Sequence, residues 1–233
     1  MGDTQRDRWE LRPTRDGNPA RPLSENSIHP PGRPESDRGI AFDIVAVAAS
    51  AGGLNALSQV LSGLPSEFGA AIVVVQHLDP RHRSLMADIL SRRTSLRVKE
   101  AEDGETIRPG MIYIAPPDNH LLVNPDGALS LSRSELVHFV RPSADLLFES
   151  VAASFKDRAI AVVLTGSGSD GTMGVRAIKK MKGTVIAQDE ASSEFFGMPG
   201  SAIDTKNVDF ILPLDEIAPA LVTLVRGDRS DRR

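Results

Sequence analysis

A serine, a histidine and an aspartate each follow a short apolar run of the kind that forms a buried strand. Ser50 follows Ile44–Ala49, His77 follows the next such run, and Asp170 lies in the Gly-rich segment after Ile160–Leu164. A hydroxyl, an imidazole and a carboxylate are the nucleophile, base and orienting group of a catalytic triad. Because ligands of open parallel sheets bind beyond the carboxyl ends of the strands, we expect these three side chains to meet there.

The segment around Ser50 suits a nucleophile. Gly52 and Gly53 allow a sharp turn into a helix, and we expect amides of the Ser50–Gly53 turn to stabilise an oxyanion. We also expect Nε2 of His77 within reach of the Ser50 hydroxyl, with Asp170 near Nδ1. The chain order Ser, His, Asp differs from that of α/β hydrolases, and a complete G-x-S-x-G elbow would need glycine at Ala48.

Each of these residues also has a structural interpretation. Ser50 and Asp170 suit the N-caps of the helices that follow them. His77 suits an ordinary buried or solvated imidazole. Their joint position at three strand ends is what favours catalysis.

The segment after the third buried strand also fits a dinucleotide-binding fingerprint. Gly166, Gly168 and Gly171 spell G-x-G-x-x-G, and Asp189 follows the next strand as a candidate ribose-binding acid. Against this, the carboxylate of Asp170 would lie where a pyrophosphate should bind. The fingerprint also belongs to the first βαβ unit of such domains, whereas this one begins late in the chain.

A metal site is a weaker alternative. His77, Asp79 and His82 offer nitrogen and oxygen ligands, but Pro80 interrupts the segment and two arginines flank it. His120 and His138 fall in or beside strand-like runs and are expected to be structural. We therefore predict no metal and no cofactor.

Apolar runs and helical patterns alternate along the chain. Runs that are apolar on both faces and alternate with helices predict an α/β fold, a doubly wound and mostly parallel sheet with helices on both faces. Three strand-like runs in close succession predict a small antiparallel hairpin at the sheet edge. The predicted strands are 44–49, 71–75, 111–115, 120–123, 128–131, 160–164, 184–187 and 208–212; the predicted helices are 54–64, 85–90, 144–155, 175–181 and 217–225.

Composition sets the domain limits and excludes several classes. The 233 residues contain no cysteine, so disulfides, thiolate nucleophiles and Cys-ligated metals are excluded. Residues 1–40 hold 6 of the 16 prolines with 7 arginines and 7 acidic residues, which predicts a disordered tail. Residues 226–233 form a charged C-terminal tail, and residues 41–225 form the predicted catalytic domain.

Charge and hydropathy bear on partners and location. Because the first 40 residues are neutral and residues 226–233 carry +2, the net charge of −4 leaves −6 on the domain. An acidic domain argues against nucleic acid. We find no signal peptide and no apolar run long enough to span a membrane, so we predict no membrane insertion.

Several longer motifs carry a family resemblance. They are IVAVAASAGG (44–53), VVVQH (73–77), YIAPPDNH (113–120), RPSADLLFESVA (141–152), VVLTGSGSDGTMG (162–174) and IAQDEAS…GMPGSAI (186–203). In this order they resemble the catalytic domain of the chemotaxis protein-glutamate methylesterases, the CheB family.

The resemblance implies a function and a set of roles. Ser50 corresponds to the family's nucleophile, His77 to its base and Asp170 to the carboxylate that orients the base. The implied reaction is hydrolysis of glutamyl methyl esters with release of methanol, and by the same acyl path deamidation of glutamine. The implied partners are methyl-accepting chemoreceptors in the cytoplasm. The alternatives that stay open are dinucleotide binding and a catalytically silent interaction module.

Two departures from the family pattern matter. Ser167 stands where the family usually carries methionine, which bears on substrate fit or loop packing. Typical members also begin with a receiver domain of about 120 residues, longer than the tail of 40. We therefore expect constitutive activity or control by a separate response-regulator protein. Arg141 and the pair Arg81 and Arg83 are candidates for local positive potential toward an acidic receptor, with structural ion pairs as the alternative.

Overall fold

The computed structural model describes residues 42–77 and 85–227. The strands are β1 (Ile44–Ala49), β2 (Ala71–Gln76), β3 (Arg97–Glu100), β4 (Met111–Ile114), β5 (His120–Val123), β6 (Leu129–Ser132), β7 (Ala159–Val163), β8 (Thr184–Gln188) and β9 (Phe210–Leu212). The helices are α1 (Gly53–Ser62), α2 (Met86–Ser91), α3 (Ala144–Phe155), α4 (Thr172–Lys180), α5 (Gly197–Asp204) and α6 (Leu214–Arg226).

Seven of the strands form one parallel sheet, and helices cover both of its faces. The strand order is β3-β4-β2-β1-β7-β8-β9, while β5 and β6 pair antiparallel as a separate hairpin. Side chains of α1, α2 and α6 form one core with the sheet, and side chains of α3, α4, α5 and the hairpin form the other. The predicted doubly wound fold is confirmed.

Strand alternation directs the site residues to one face of the sheet. On β1, Ala46 and Ala48 point into the core shared with α3, and on β2, Val73 and Val75 do the same. Because successive side chains of a strand alternate between faces, the next residues of that parity are Ser50 and His77. Both follow their strands on the face that carries α3.

The placement of β4 corrects the prediction of hairpins at the sheet edge. Met111–Ile114 was expected among the hairpin strands, but β4 lies inside the parallel sheet between β2 and β3. The edge is β3, which the sequence did not predict because Arg97–Glu100 lacks an apolar run. A polar strand is tolerated there, since an edge strand leaves side chains in solvent. Lys99 on this strand pairs with Glu102 and Glu105 at 2.8 and 3.0 Å.

Helix α5 was also not predicted, because two glycines and a proline lie in Gly197–Asp204. It forms through packing, with Met198, Pro199 and Ala202 buried. The predicted tails at 1–40 and 226–233 lie outside the described residues except for Arg226, which ends α6, and Gly227. Across the described ranges, none of the helices has the length and apolar character to cross a membrane.

Candidate active site

Ser50 lies in a tight turn between β1 and α1. Its N–H donates to the Thr165 carbonyl at 3.0 Å, and the N–H of Gly53 donates back to the Ser50 carbonyl at 2.9 Å. Gly52 adopts the left-handed conformation with φ of 76°, and a Cβ there would come within 2.7 Å of Glu194 Oε2. The turn therefore requires glycine for both its backbone conformation and its close packing.

Gln76 connects this turn to the end of β2. Its side-chain Nε2 donates to the Ser50 carbonyl at 2.6 Å and to the His77 carbonyl at 3.1 Å. The His77 N–H donates to the Ala49 carbonyl at 3.1 Å. These bonds hold the backbones of the serine and the histidine side by side.

Asp170 is buried and receives four hydrogen bonds. Its Oδ2 accepts from His77 Nε2 at 2.8 Å and from the Ala144 N–H at 2.6 Å. Its Oδ1 accepts from the Ser143 hydroxyl at 2.9 Å and from the Asp145 N–H at 3.1 Å. Burial alone would raise the pKa of Asp170, but the bonds from His77 and the two amides outweigh it and lower the pKa below its ordinary value. The carboxylate is thus held ionised at the N-terminus of α3.

The structure brings His77 and Asp170 into contact, but through Nε2 and not through the expected Nδ1. Asp170 binds Nε2, which leaves Nδ1 as the nitrogen available to Ser50. The sheet geometry explains the exchange. Ser50 follows the strand next to that of His77, about 4.8 Å away, and Nδ1 is the ring nitrogen nearer the main chain. In the described part of the chain, no hydrogen bond joins the Ser50 hydroxyl to His77. Asp170 follows β7, one strand further, and needs the nitrogen at the tip of the ring.

The amides available to an oxyanion are fewer than the sequence suggested. The N–H of Gly53 is used within the turn. Among the described residues, no partner accepts from the N–H groups of Ala51 or Gly52. These two donors at the start of α1 are the candidates for stabilising a negative oxygen.

A second buried carboxylate, Asp145, was missed by sequence reasoning. Its Oδ1 accepts the Gly174 N–H of α4 at 2.8 Å, while its own N–H donates to Asp170. Asp170, which precedes α4, therefore caps α3, and Asp145 of α3 caps α4. Burial raises the pKa of Asp145, the Gly174 amide opposes that rise, and the charge of Asp170 adds to it. The signal available in sequence was the S-A-D segment at the start of α3, which reads as an N-terminal cap.

The two other described histidines have structural contacts, as expected. His120 is buried, with Nε2 at 3.0 Å from the Glu135 carbonyl and Nδ1 accepting the Ser143 N–H at 3.1 Å. His138 pairs with Asp145 at 3.4 Å. His120 thereby fixes Ser143, which in turn donates to Asp170.

The glycines of the G-x-G-x-x-G segment serve packing and turns. A Cβ on Gly166 would come within 2.8 Å of Ser50 Cβ and 2.5 Å of Met198 Sδ. Gly171 is left-handed with φ of 103° at the start of α4. Asp189 accepts from the backbone and hydroxyl of Ser192 at 3.0 and 2.6 Å, so it serves a local turn.

Two further sequence candidates have separate outcomes. Asp79 and His82 of the metal alternative, like Arg81 and Arg83, lie outside the described residues. Arg141 donates to Asp118 at 2.9 Å and to the Ser134 carbonyl at 2.6 Å, so the structural alternative holds for it.

A hydroxyl, an imidazole and a buried carboxylate at the carboxyl edge of a doubly wound sheet are the arrangement of a serine-type hydrolase. The sequence profile of CheB methylesterase matches residues 45–221. The chain belongs to the CheB methylesterase family.

Relatives and a solved structure agree with this placement. A candidate protein-glutamate methylesterase/protein-glutamine glutaminase of Leptospira interrogans is 40% identical over 82% of this chain and 99% of its own length. The protein-glutamate methylesterase FrzG of Myxococcus xanthus is 44% identical over 79% of this chain and 55% of its own. The chain thus spans about half of FrzG and nearly all of the Leptospira protein.

The crystal structure of the Thermotoga maritima CheB methylesterase catalytic domain matches with a TM-score of 0.76. It is 41% identical, and the match covers 79% of this chain and 99% of that one.

Proposed function

We propose that this protein is a protein-glutamate methylesterase in which Ser50, His77 and Asp170 form the catalytic triad. The observation that carries the proposal is the 2.8 Å bond between His77 Nε2 and the buried Asp170, beside the turn that bears Ser50. The same acyl chemistry would deamidate glutamine.

The proposed reaction begins when Ser50 Oγ attacks the γ-carbonyl of a glutamyl methyl ester. His77 Nδ1 takes the hydroxyl proton and returns it to the departing methanol. Asp170 stabilises the imidazolium and fixes the ring. The N–H groups of Ala51 and Gly52 bind the oxyanion, and such a donor is typically worth about 3–4 kcal/mol.

Water then hydrolyses the acyl-enzyme. It gives a proton to His77 and leaves a glutamate side chain and a free Ser50 hydroxyl. The proposed substrates are methyl-accepting chemoreceptors, the proposed location is the cytoplasm, and a separate response-regulator protein is the proposed partner for control.

Methanol release from a methylated receptor tests the assignment. The Ser50→Ala variant is expected to lose about 10³-fold or more in rate, because no other hydroxyl replaces the nucleophile. Ser66→Ala is the control, since Ser66 is exposed in the loop between α1 and β2 and its hydroxyl donates to the Glu67 carboxylate at 2.7 Å. Equal rates for wild type and Ser50→Ala would refute the triad. No turnover by wild type would favour the silent interaction module.

A further inference from the structure

The side chain of Glu194 lies against the Ser50–Gly53 turn. Its Oε2 and Cβ atoms are 2.7 and 3.0 Å from the position that a Cβ on Gly52 would occupy. Because the nitrogen and the Cβ of one residue are about 2.5 Å apart, Oε2 lies within about 5 Å of the Gly52 nitrogen. The missing side chain of Gly52 is what leaves room for the carboxylate on this turn.

Backbone hydrogen bonds hold Glu194 in this position. The N–H of the next residue, Phe195, donates to Thr165 Oγ1 at 2.8 Å, and the Phe195 carbonyl accepts from the Gly166 N–H at 2.9 Å. Gly166 packs against the serine, since a Cβ on Gly166 would lie 2.8 Å from Ser50 Cβ. The segment after β8 that carries Glu194 therefore forms a wall of the candidate active site.

The charge of Glu194 is not what fixes this segment. The side chain is exposed, and in the ranges that the structure describes its carboxylate takes part in no hydrogen bond and no ion pair. Exposed glutamates are ionised at neutral pH. A negative charge therefore lies beside the turn whose amides, at Ala51 and Gly52, are proposed to bind a negative oxygen.

The methyl ester and the glutamate product differ in charge at this turn. An ester or an amide is neutral, whereas the product is a carboxylate. A carboxylate oxygen that accepts from the Gly52 N–H lies about 2.9 Å from its nitrogen, and therefore within about 8 Å of the Glu194 carboxylate. Exposed charges interact over about this distance at physiological ionic strength. The product carboxylate is repelled by Glu194, and a neutral ester or amide is not.

We propose that Glu194 is a specificity-determining residue that disfavours anionic side chains at Ser50. It favours release of the glutamate product and binding of a methyl ester or an amide. This inference rests on the proposed function, because it concerns the substrate and product of the proposed esterase. The same charge also opposes the negative oxyanion of the transition state, so we expect Glu194 to slow acylation.

Binding of a chemoreceptor in two forms tests the selectivity. In a Ser50→Ala background, co-sedimentation with receptor-containing vesicles gives one Kd for receptor with glutamine at the modified positions and another for receptor with glutamate there. We expect the protein with Glu194 to favour the glutamine form, and Glu194→Gln to reduce this preference about fivefold. A purely structural role would weaken the binding of both forms alike, and an unchanged ratio of the two Kd values would overturn the proposal.

Two further variants serve as controls. Glu190→Gln makes the same change in net charge at another exposed glutamate of the loop between β8 and α5, and it should leave the ratio of Kd values unchanged. Glu194→Asp keeps the charge and should keep the preference for glutamine. An equal reduction in Glu190→Gln and Glu194→Gln would assign the effect to net charge, which contradicts a role for the position of Glu194.

A small ester separates this proposal from the proposed function. Hydrolysis of p-nitrophenyl acetate also forms an oxyanion at Ser50, so Glu194→Gln should raise its kcat/KM about threefold at low salt, with a smaller gain at high salt. An unchanged kcat/KM would show that the charge does not act on the oxyanion, and would overturn the proposal. Hydrolysis of this ester without methanol release from methylated receptor would refute the proposed function, and the effect of Glu194→Gln on the small ester would still decide the role of Glu194. Failure of wild type on both esters would refute both proposals.

Discussion

The ionised carboxylate of Asp170 determines which ring nitrogen of His77 carries the proton. The lowered pKa of Asp170 keeps that carboxylate ionised near neutral pH, so Nε2, 2.8 Å away, must donate. The neutral ring then carries its proton on Nε2 and leaves Nδ1 as the nitrogen that can accept a proton. This assignment of the proton to Nε2 depends on the bond to Asp170 and does not depend on the substrate.

The first prediction is that neutral His77 is the Nε2–H tautomer. Side-chain ¹⁵N NMR of histidine-labelled protein measures this directly. Asp170→Asn should weaken the preference, while His120, whose Nδ1 accepts a backbone N–H, should keep its signal. A wild-type spectrum dominated by the Nδ1–H form of His77 would contradict the assignment.

The second prediction concerns Gly52 in the Ser50–Gly53 turn. Gly52 and Gly104 have the same φ of 76°, but only Gly52 lacks space for a Cβ. Gly52→Ala and Gly104→Ala should each cost about 1–2 kcal/mol of unfolding free energy from the backbone alone. Only Gly52→Ala should also lose about 100-fold in kcat/KM, because its displaced turn carries Ser50 and the two proposed oxyanion donors. Urea denaturation and ester hydrolysis measure the two effects, and equal activity in both variants would exclude a role for the turn.

The types of the site residues could be predicted from the sequence, but their contacts could not. Position after a buried strand located Ser50 and His77, because strand alternation puts them on one face. The choice of ring nitrogen depends on how many strands separate His77 from Asp170, which is a property of the sheet order. Asp145 escaped notice because its partner amide belongs to another helix.

At the scale of elements, helices α3 and α4 exchange their capping carboxylates. Asp170 accepts from the first amides of α3, and Asp145 accepts from Gly174 of α4. The helices approach closely there, since a Cβ on Gly174 would lie 2.4 Å from Phe148 Cβ. The crossed caps tie the position of the Asp170 carboxylate to the packing of two helices.

The third prediction separates the two roles of Asp145. Asp145→Ala leaves the buried Gly174 N–H without its acceptor and should cost about 1–3 kcal/mol of unfolding free energy. Asp145→Asn keeps an oxygen that accepts the Gly174 N–H and removes the buried negative charge. Because burial raises the pKa of the Asp145 carboxyl, the Asn variant should be at least as stable as wild type at neutral pH.

The pH dependence of the unfolding free energy tests whether the charge of Asp145 destabilises the fold. A raised folded-state pKa means that the charged form of Asp145 destabilises the fold above that pKa. The advantage of Asp145→Asn should therefore shrink as pH falls through the raised value. Urea denaturation at a series of pH values measures it, and an Asn variant as unstable as Ala at neutral pH would show that the charge itself is needed.

Strands and helices were predicted correctly where their own apolar residues indicate burial. The central strands are apolar on both faces and were predicted within one or two residues. The edge strand β3 is polar because half of its surroundings is solvent, and α5 depends on packing that overrides two glycines and a proline. The same limit explains β4, which pairs with β2 on one side and is separated from the sheet edge only by the unpredicted β3.

At the scale of the whole molecule, the strand order assembles the site. The order β2-β1-β7 puts the ends that carry His77 and Ser50, and the loop that carries Asp170, side by side. The chain connections reverse direction between β1 and β7, and such a switch point leaves a crevice for ligands.

The fourth prediction joins the site to global stability. Asp170 has a lowered pKa in the folded protein, so its charge contributes stability that is fully present above the unfolded-state pKa, which is about 3.9 for aspartate. That contribution is lost as pH falls through the folded-state value. The difference in unfolding free energy between wild type and Asp170→Asn should therefore be largest near neutral pH and decrease toward pH 3 and below. Urea denaturation across this range measures it, with the exposed Asp157→Asn as a control for removing one carboxylate. A difference that stays constant with pH would mean that the hydrogen bonds of Asp170, rather than its charge, hold α3 and His77 in place.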